Sequence, residues 1–133
     1  MENQQSNKGI LREKSFQLAI RIVKLCKHLR ENKKEFEISR QLFKSGTNPG
    51  AMVRESEYAQ SGVDFINKLE VAQKELNETR YWIELLNATD YLTESEKISI
   101  LNDVDEIMRL TTSSIKTRKA NLESSKKAPI KQH

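Results

Sequence analysis

Four charged residues in the middle of the chain, Arg54, Glu55, Glu75 and Glu78, have the types that proton transfer or cation binding requires. Glu75 and Glu78 are three apart, so a helix sets them on one face, beside Leu76 and Thr79. Paired carboxylates serve acid–base catalysis or hold metal ions, and helical bundles that carry two metals use a Glu-x-x-His repeat. Neither histidine stands at that spacing, since His28 lies beside Lys27 and His133 is the last residue. The expectation is no metal and no cofactor. The four residues are predicted instead to form a polar cluster of salt bridges, between helices or between subunits, that fixes register. Burying such charges rarely adds stability, but removing one partner is costly.

The remaining chemical candidates weaken on the same kind of test. Tyr81 and Trp82 have the rings that stack single-stranded bases, but Glu75, Glu78 and Glu84 surround them with negative charge that repels a phosphate backbone. They are predicted to pack in the core or at a subunit interface. Ser45 and Thr47 have no histidine placed to act as a base. Gly46, Gly50 and Gly62 lack both the Lys-Ser/Thr ending and the preceding strand of a phosphate-binding loop. Cys26 is the lone cysteine and sits among apolar residues, which suits a buried thiol in a reducing, cytoplasmic protein.

Charge is unevenly spread behind a net value of +4. Residues 8 to 31 hold seven basic and two acidic side chains, residues 55 to 106 hold four and thirteen, and residues 116 to 133 hold six and one. Cationic first and last helices around an anionic middle favour charge complementarity within or between subunits. They also allow a nucleic-acid footprint built from Arg21, Lys24 and Lys27 with Arg118, Lys119, Lys126 and Lys127. No apolar run reaches the roughly 18 residues that cross a bilayer, and the first ten residues lack a secretion-signal layout.

What must position these residues is an all-α fold. At 133 residues, with 36% hydrophobic and 32% charged side chains and only six glycines and prolines, the composition fits one domain of long solvated helices. The spacing predicts an antiparallel up-down-up-down four-helix bundle with helices over 15–31, 36–58, 63–89 and 94–123. A 14-residue N-terminal arm precedes it, and a basic disordered tail over 124–133 follows. Helix one carries two apolar stripes. Leu18, Ile22, Leu25 and Leu29 make the core seam, while Phe16, Ala19, Ile20, Val23 and Cys26 widen it, more surface than one neighbour covers. Phe16, Ile20, Val23, Tyr81 and Trp82 are therefore the candidate oligomer or packing surface. Helix two is expected to run through Pro49, despite a cost of about 3 kcal/mol, because Ile38, Leu42, Ser45, Pro49, Met52 and Ser56 keep one face. Phe65/Ile66, Leu69, Ala72, Leu76, Thr79, Ile83 and Leu86 form the seam of helix three. In helix four the predicted face is Ile98, Leu101, Val104, Met108, Thr112 and Ile115, starting from a Thr93/Glu96 capping box.

Gln41-Leu42, the run Ser45 to Glu55 (SGTNPGAMVRE), Ala59 to Ser61, Asp64 to Ile66, Lys68-Leu69, Ala72, Lys74-Glu75, Glu78-Thr79, Tyr81-Trp82 and Glu84 to Leu86 keep a familiar order. This pattern resembles the bacterial four-helix bundle proteins also called the S23 or 23S ribosomal RNA intervening-sequence protein family, over roughly Phe16 to Asn121. The resemblance implies a bundle, a ring-like homopentamer and a continuous helix two, and it brings no established reaction or cofactor. The chain departs from the family pattern at Asn48-Pro49, where a Ser-Ile or Ser-Val pair is common. The functional expectation is a non-enzymatic bundle that forms a homo-oligomer, a pentamer, as a binding or scaffold module. The alternative is an RNA-binding or ribosome-associated protein using the basic residues.

Overall fold

The computed structural model describes residues 4–127, and these form α1 (Gln4–Lys33), α2 (Glu37–Ser56), α3 (Gly62–Ala88) and α4 (Glu94–Lys127). No strand occurs among the described residues. Successive helices pack on one another, and α4 closes the bundle through a thinner contact with α1. Short connections force antiparallel neighbours, which gives the up-down-up-down order that the apolar spacing predicts.

The seam of α3 lies where its spacing places it, with Ile66, Leu69, Ala72, Leu76, Thr79, Ile83 and Leu86 all buried. α2 runs unbroken through Pro49, which is itself buried together with Leu42, Ser45 and Val53. The packing of that face outweighs the donor that proline removes. Ile38 and Met52 are only half-buried, while Ser39, Gly46 and Val53 are buried in their place. The face is thus turned toward α1.

Three expectations are corrected. α1 begins at Gln4 rather than Ser15, so most of the expected arm is helix. Ser15 lies inside the helix, where its Oγ donates to the Arg12 carbonyl at 3.2 Å. Leu11 and Ser15 are both buried and continue the face of Leu18 and Ile22 backwards by four, three and four. A serine on the seam, preceded by Gly9, hid that continuation. In α4 the buried set is Ile100, Val104, Ile107, Thr111 and Ile115, whereas Ile98 is 49% exposed and Thr112 is exposed. Its rotation is fixed by partners on both sides. Arg21 pairs with Asp103 at 2.8 Å and Lys14 with Glu106 at 3.4 Å toward α1, while Arg80 pairs with Asp105 and Gln73 with Thr111 and Thr112 toward α3. These exposed pairs set register more than stability. α4 also runs to Lys127, past the expected boundary at 123, and the rest of the expected tail lies outside the described residues.

The helix ends follow local chemistry. Ser61 caps α3 by accepting from the Asp64 N–H at 3.0 Å. Asp90, at φ 69°, turns the chain out of α3 while the Tyr91 N–H bonds the Leu86 carbonyl at 2.8 Å. The capping box of α4 is formed on both sides: the Thr93 N–H donates to Glu96 Oε1 at 2.8 Å and the Glu96 N–H to Thr93 Oγ1 at 3.1 Å. The Thr93 backbone and side-chain bonds hold the Glu96 carboxyl below its ordinary value. A depressed carboxylate contributes stability above its unfolded pKa and loses it as pH falls through the folded one. Glu96→Gln should therefore flatten the acid-side loss of thermal midpoint below the ordinary glutamate value of about 4.3, read by circular dichroism melts across pH.

A second N-terminal cap was not foreseen from sequence. Glu35 precedes α2, is buried, and accepts from the backbone N–H groups of Ile38 at 3.0 Å and Ser39 at 2.7 Å. Next to it the Cys26 thiol donates to the Ser39 carbonyl at 3.3 Å, and burial pushes its pKa up to about 11. Such a thiol stays protonated and unreactive at neutral pH. Glu35→Ala leaves two buried donors unpaired at a helix start and should cost about 1 kcal/mol, measured by urea unfolding.

Candidate functional site

Small residues let α1 and α2 approach closely, and this decides what their outer groove presents. A Cβ on Gly46 would lie 2.7 Å from both γ carbons of Ile22, and one on Gly50 would lie 3.2 Å from the Ser15 carbonyl oxygen. Above this contact, side chains from both helices cross the groove. The Arg54 guanidinium of α2 sits 5.1 Å from the ring of Phe16 on α1, and Arg30 of α1 sits 5.9 Å from Phe43 on α2. Phe16 is 46% and Val23 39% exposed, Phe36 and Phe43 are exposed as well, and Ile20 is half-buried. The result is an aromatic and aliphatic strip whose flanking Arg30 and Arg54 have no carboxylate partner among the described residues.

A second strip runs along α3. Val71, Glu78 and Leu85 recur every seven residues, and Tyr81 and Trp82 join them. Tyr81 is 56% exposed and meets Trp82 edge to face at 4.9 Å. The Trp82 ring packs against the core, but its Nε1–H is buried without an acceptor. Buried donors are nearly always paired, so this one marks unfinished packing. Glu78 is half-buried and has no ion-pair partner among the described residues.

The predicted polar cluster is therefore split. Arg54 lies on the α1–α2 groove with Phe16, Glu55 pairs with Lys68 at 3.6 Å, and Glu75 accepts from Asn48 Nδ2 at 2.9 Å. Arg54 forms no ion pair with Glu75 or Glu78 in this chain. Below Glu75, the Ser45 and Thr79 hydroxyls are 3.0 Å apart in the core between α2 and α3. Glu55 and Glu75 thus tie α2 to α3, while Arg54 and Glu78 point to different outer faces.

A model of the family described as 23S rRNA-intervening sequence protein matches residues 8–113. The chain belongs to that family. A solved structure from Bacteroides thetaiotaomicron VPI-5482, described as a protein of unknown function from the S23 ribosomal protein family, is 50% identical. The similarity covers 83% of this chain and 98% of that one, with a TM-score of 0.82. No curated protein matches.

Within this S23-family bundle the basic residues are divided in their engagement. Arg21 is committed to Asp103 and to Ser99 Oγ, the latter at 2.8 Å, and Lys119 pairs with Glu70 at 3.7 Å. Arg118 lies 4.3 Å from the Phe65 ring. Lys24, Lys27 and Lys126 are exposed, and Lys127 is the last residue of α4. The predicted footprint does not come together: Lys14 pairs with Glu106 and Arg21 with Asp103, so α1 runs antiparallel to α4, and Lys24 and Lys27 lie toward the start of α4, away from Arg118 to Lys127. Among the described residues, no three His, Cys, Asp or Glu side chains converge as metal ligands, and no helix is long and apolar enough to cross a membrane. Phe36, Phe43 and Arg30 were missed from sequence. The signal was present: Phe36, the N-cap of α2, and Phe43 within it are seven apart, off the Leu42 seam.

Proposed function

We propose that this S23-family chain is a cytoplasmic, non-enzymatic bundle that assembles into a homo-oligomer and serves as a binding or scaffold module. The observation that carries the reading is the pair of unfinished strips. The α1–α2 groove offers apolar rings flanked by arginines, and α3 offers apolar side chains around Glu78 and a buried Trp82 N–H, these arginines and Glu78 having no ion-pair partner, and the N–H no acceptor, among the described residues. Complementary patches on different faces of one molecule make head-to-tail contacts, which close into a ring when the rotation between successive copies closes. Five subunits is the number that the resemblance to the family implies. In that arrangement Arg54 of one copy and Glu78 of the next form the intersubunit half of the polar cluster.

Light-scattering mass on a size-exclusion column, taken with the 260-to-280 nm absorbance ratio, tests this. The expected result is a nucleic-acid-free particle of about five times the 15.4 kDa chain mass. A bare monomer would remove the reading. A second reading, RNA or ribosome association, draws on the exposed Lys24, Lys27 and Lys126 and on the family's description. It predicts copurifying nucleic acid and an affinity that falls steeply with salt.

A further inference from the structure

At one end of the bundle all four helices contribute to a cavity of about 230 Å³ that neither outer strip uses. Its floor is apolar, made by Leu11 of α1, Val53 of α2 and Phe65 of α3. One wall, from α4, carries the hydroxyls of Ser113, Ser114 and Thr117. At the rim stand Lys8 and Arg118, neither with a carboxylate partner among the described residues, and the Arg118 guanidinium is held 4.3 Å from the Phe65 ring. A cation fixed over an aromatic floor, next to three hydroxyls, is the lining that receives a carboxylate attached to an apolar body.

Glu57 also lines the cavity, and its charge has to be placed. Its Oε2 is buried and lies 3.3 Å from Arg12 Nε, but outside hydrogen-bond geometry, so it has no hydrogen-bond donor. Arg12 balances its charge, which leaves Lys8 and Arg118 as the net positive field. Ser56 contributes little polarity, because its Oγ donates to the Val53 carbonyl at 2.6 Å.

We propose that this cavity binds a small organic acid, with its carboxylate on Arg118 and Lys8 and its apolar body against Leu11, Val53 and Phe65. The volume, below that of cavities for drug-sized ligands, suits roughly ten non-hydrogen atoms. All the lining residues come from one chain.

The test is isothermal titration of the full-length protein with phenylacetate, inorganic phosphate and benzyl alcohol. Phenylacetate should bind saturably, one per chain, and more tightly than phosphate, which has only the head, or benzyl alcohol, which lacks the charge. Arg118→Gln should weaken phenylacetate by roughly tenfold without moving the thermal midpoint or the particle mass. Ser114→Leu, which fills the cavity, should abolish binding. If Ser114→Leu fails to fold, the Arg118→Gln result decides alone. Absence of saturable phenylacetate binding, equal binding by phosphate or benzyl alcohol, or unchanged affinity in Arg118→Gln overturns the proposal.

Discussion

Ile22→Asp is expected to unfold the bundle, whereas Val23→Asp keeps full helix content and breaks the proposed assembly. The two residues are adjacent on α1 but a helix turns them about 100° apart, so they serve different surfaces. Ile22 is fully buried against Gly46 of α2. An aspartate there has no partner, and an unpaired buried charge costs about 4 kcal/mol or more, much of the total stability of a domain this size. Val23 is partly exposed beside Phe16 on the α1–α2 groove. A carboxylate there stays hydrated in the free chain and is harmful only when a second copy covers it. Far-UV circular dichroism and light-scattering mass separate the two effects, and identical behaviour of both variants would count against the division of α1 into core and assembly stripes.

Gly46→Ala should lose about 2 kcal/mol, the balance of two opposed terms. Replacing a mid-helix glycine gains roughly 1 kcal/mol of helix propensity. Against this, the new methyl would sit 2.7 Å from two carbons of a β-branched, fully buried neighbour that has no room to turn. Overpacking of that kind costs up to about 3 kcal/mol. Gly50→Ala is the control, because its nearest contact is a single carbonyl oxygen at 3.2 Å, and its effect should lie within about 0.5 kcal/mol of zero. In an Ile22→Ala background the obstructing carbons are gone, so Gly46→Ala should there be neutral or stabilising. Urea denaturation of the four-member cycle measures the coupling. A Gly46→Ala loss that persists unchanged without the Ile22 side chain would show that the close helix approach is not its cause.

Much of this molecule was legible in the chain because the signals are local and periodic. The α3 seam from Ile66 to Leu86 repeats every three or four residues, so only one face is available for the core. The Thr93/Glu96 box is a contact between residues three apart, and the continuity of α2 through Pro49 follows from apolar steps that carry on across it. The split of α1 into a buried Ile22 stripe and an exposed Phe16 and Val23 stripe was also readable, since two stripes exceed what one seam can cover, but Cys26 is buried with the Ile22 stripe and Leu25 is only half-buried, the reverse of the assignment from spacing.

Tertiary structure alone decided matters in which several faces compete. α4 has isoleucines on more than one face, and packing against α1 and α3 buries Ile100 and Ile107 and leaves Ile98 outside, with Asp103 and Asp105 reaching Arg21 and Arg80. Arg54 and Glu78 lie on different outer faces, although their spacing along two helices allowed an internal pair. The end cavity joins residues as distant as Leu11 and Arg118, which no local pattern relates. Periodicity specifies which residues share a face of one helix; the rotation of each helix against its neighbours depends on packing and charge contributed by other segments, and that is set only when the bundle closes.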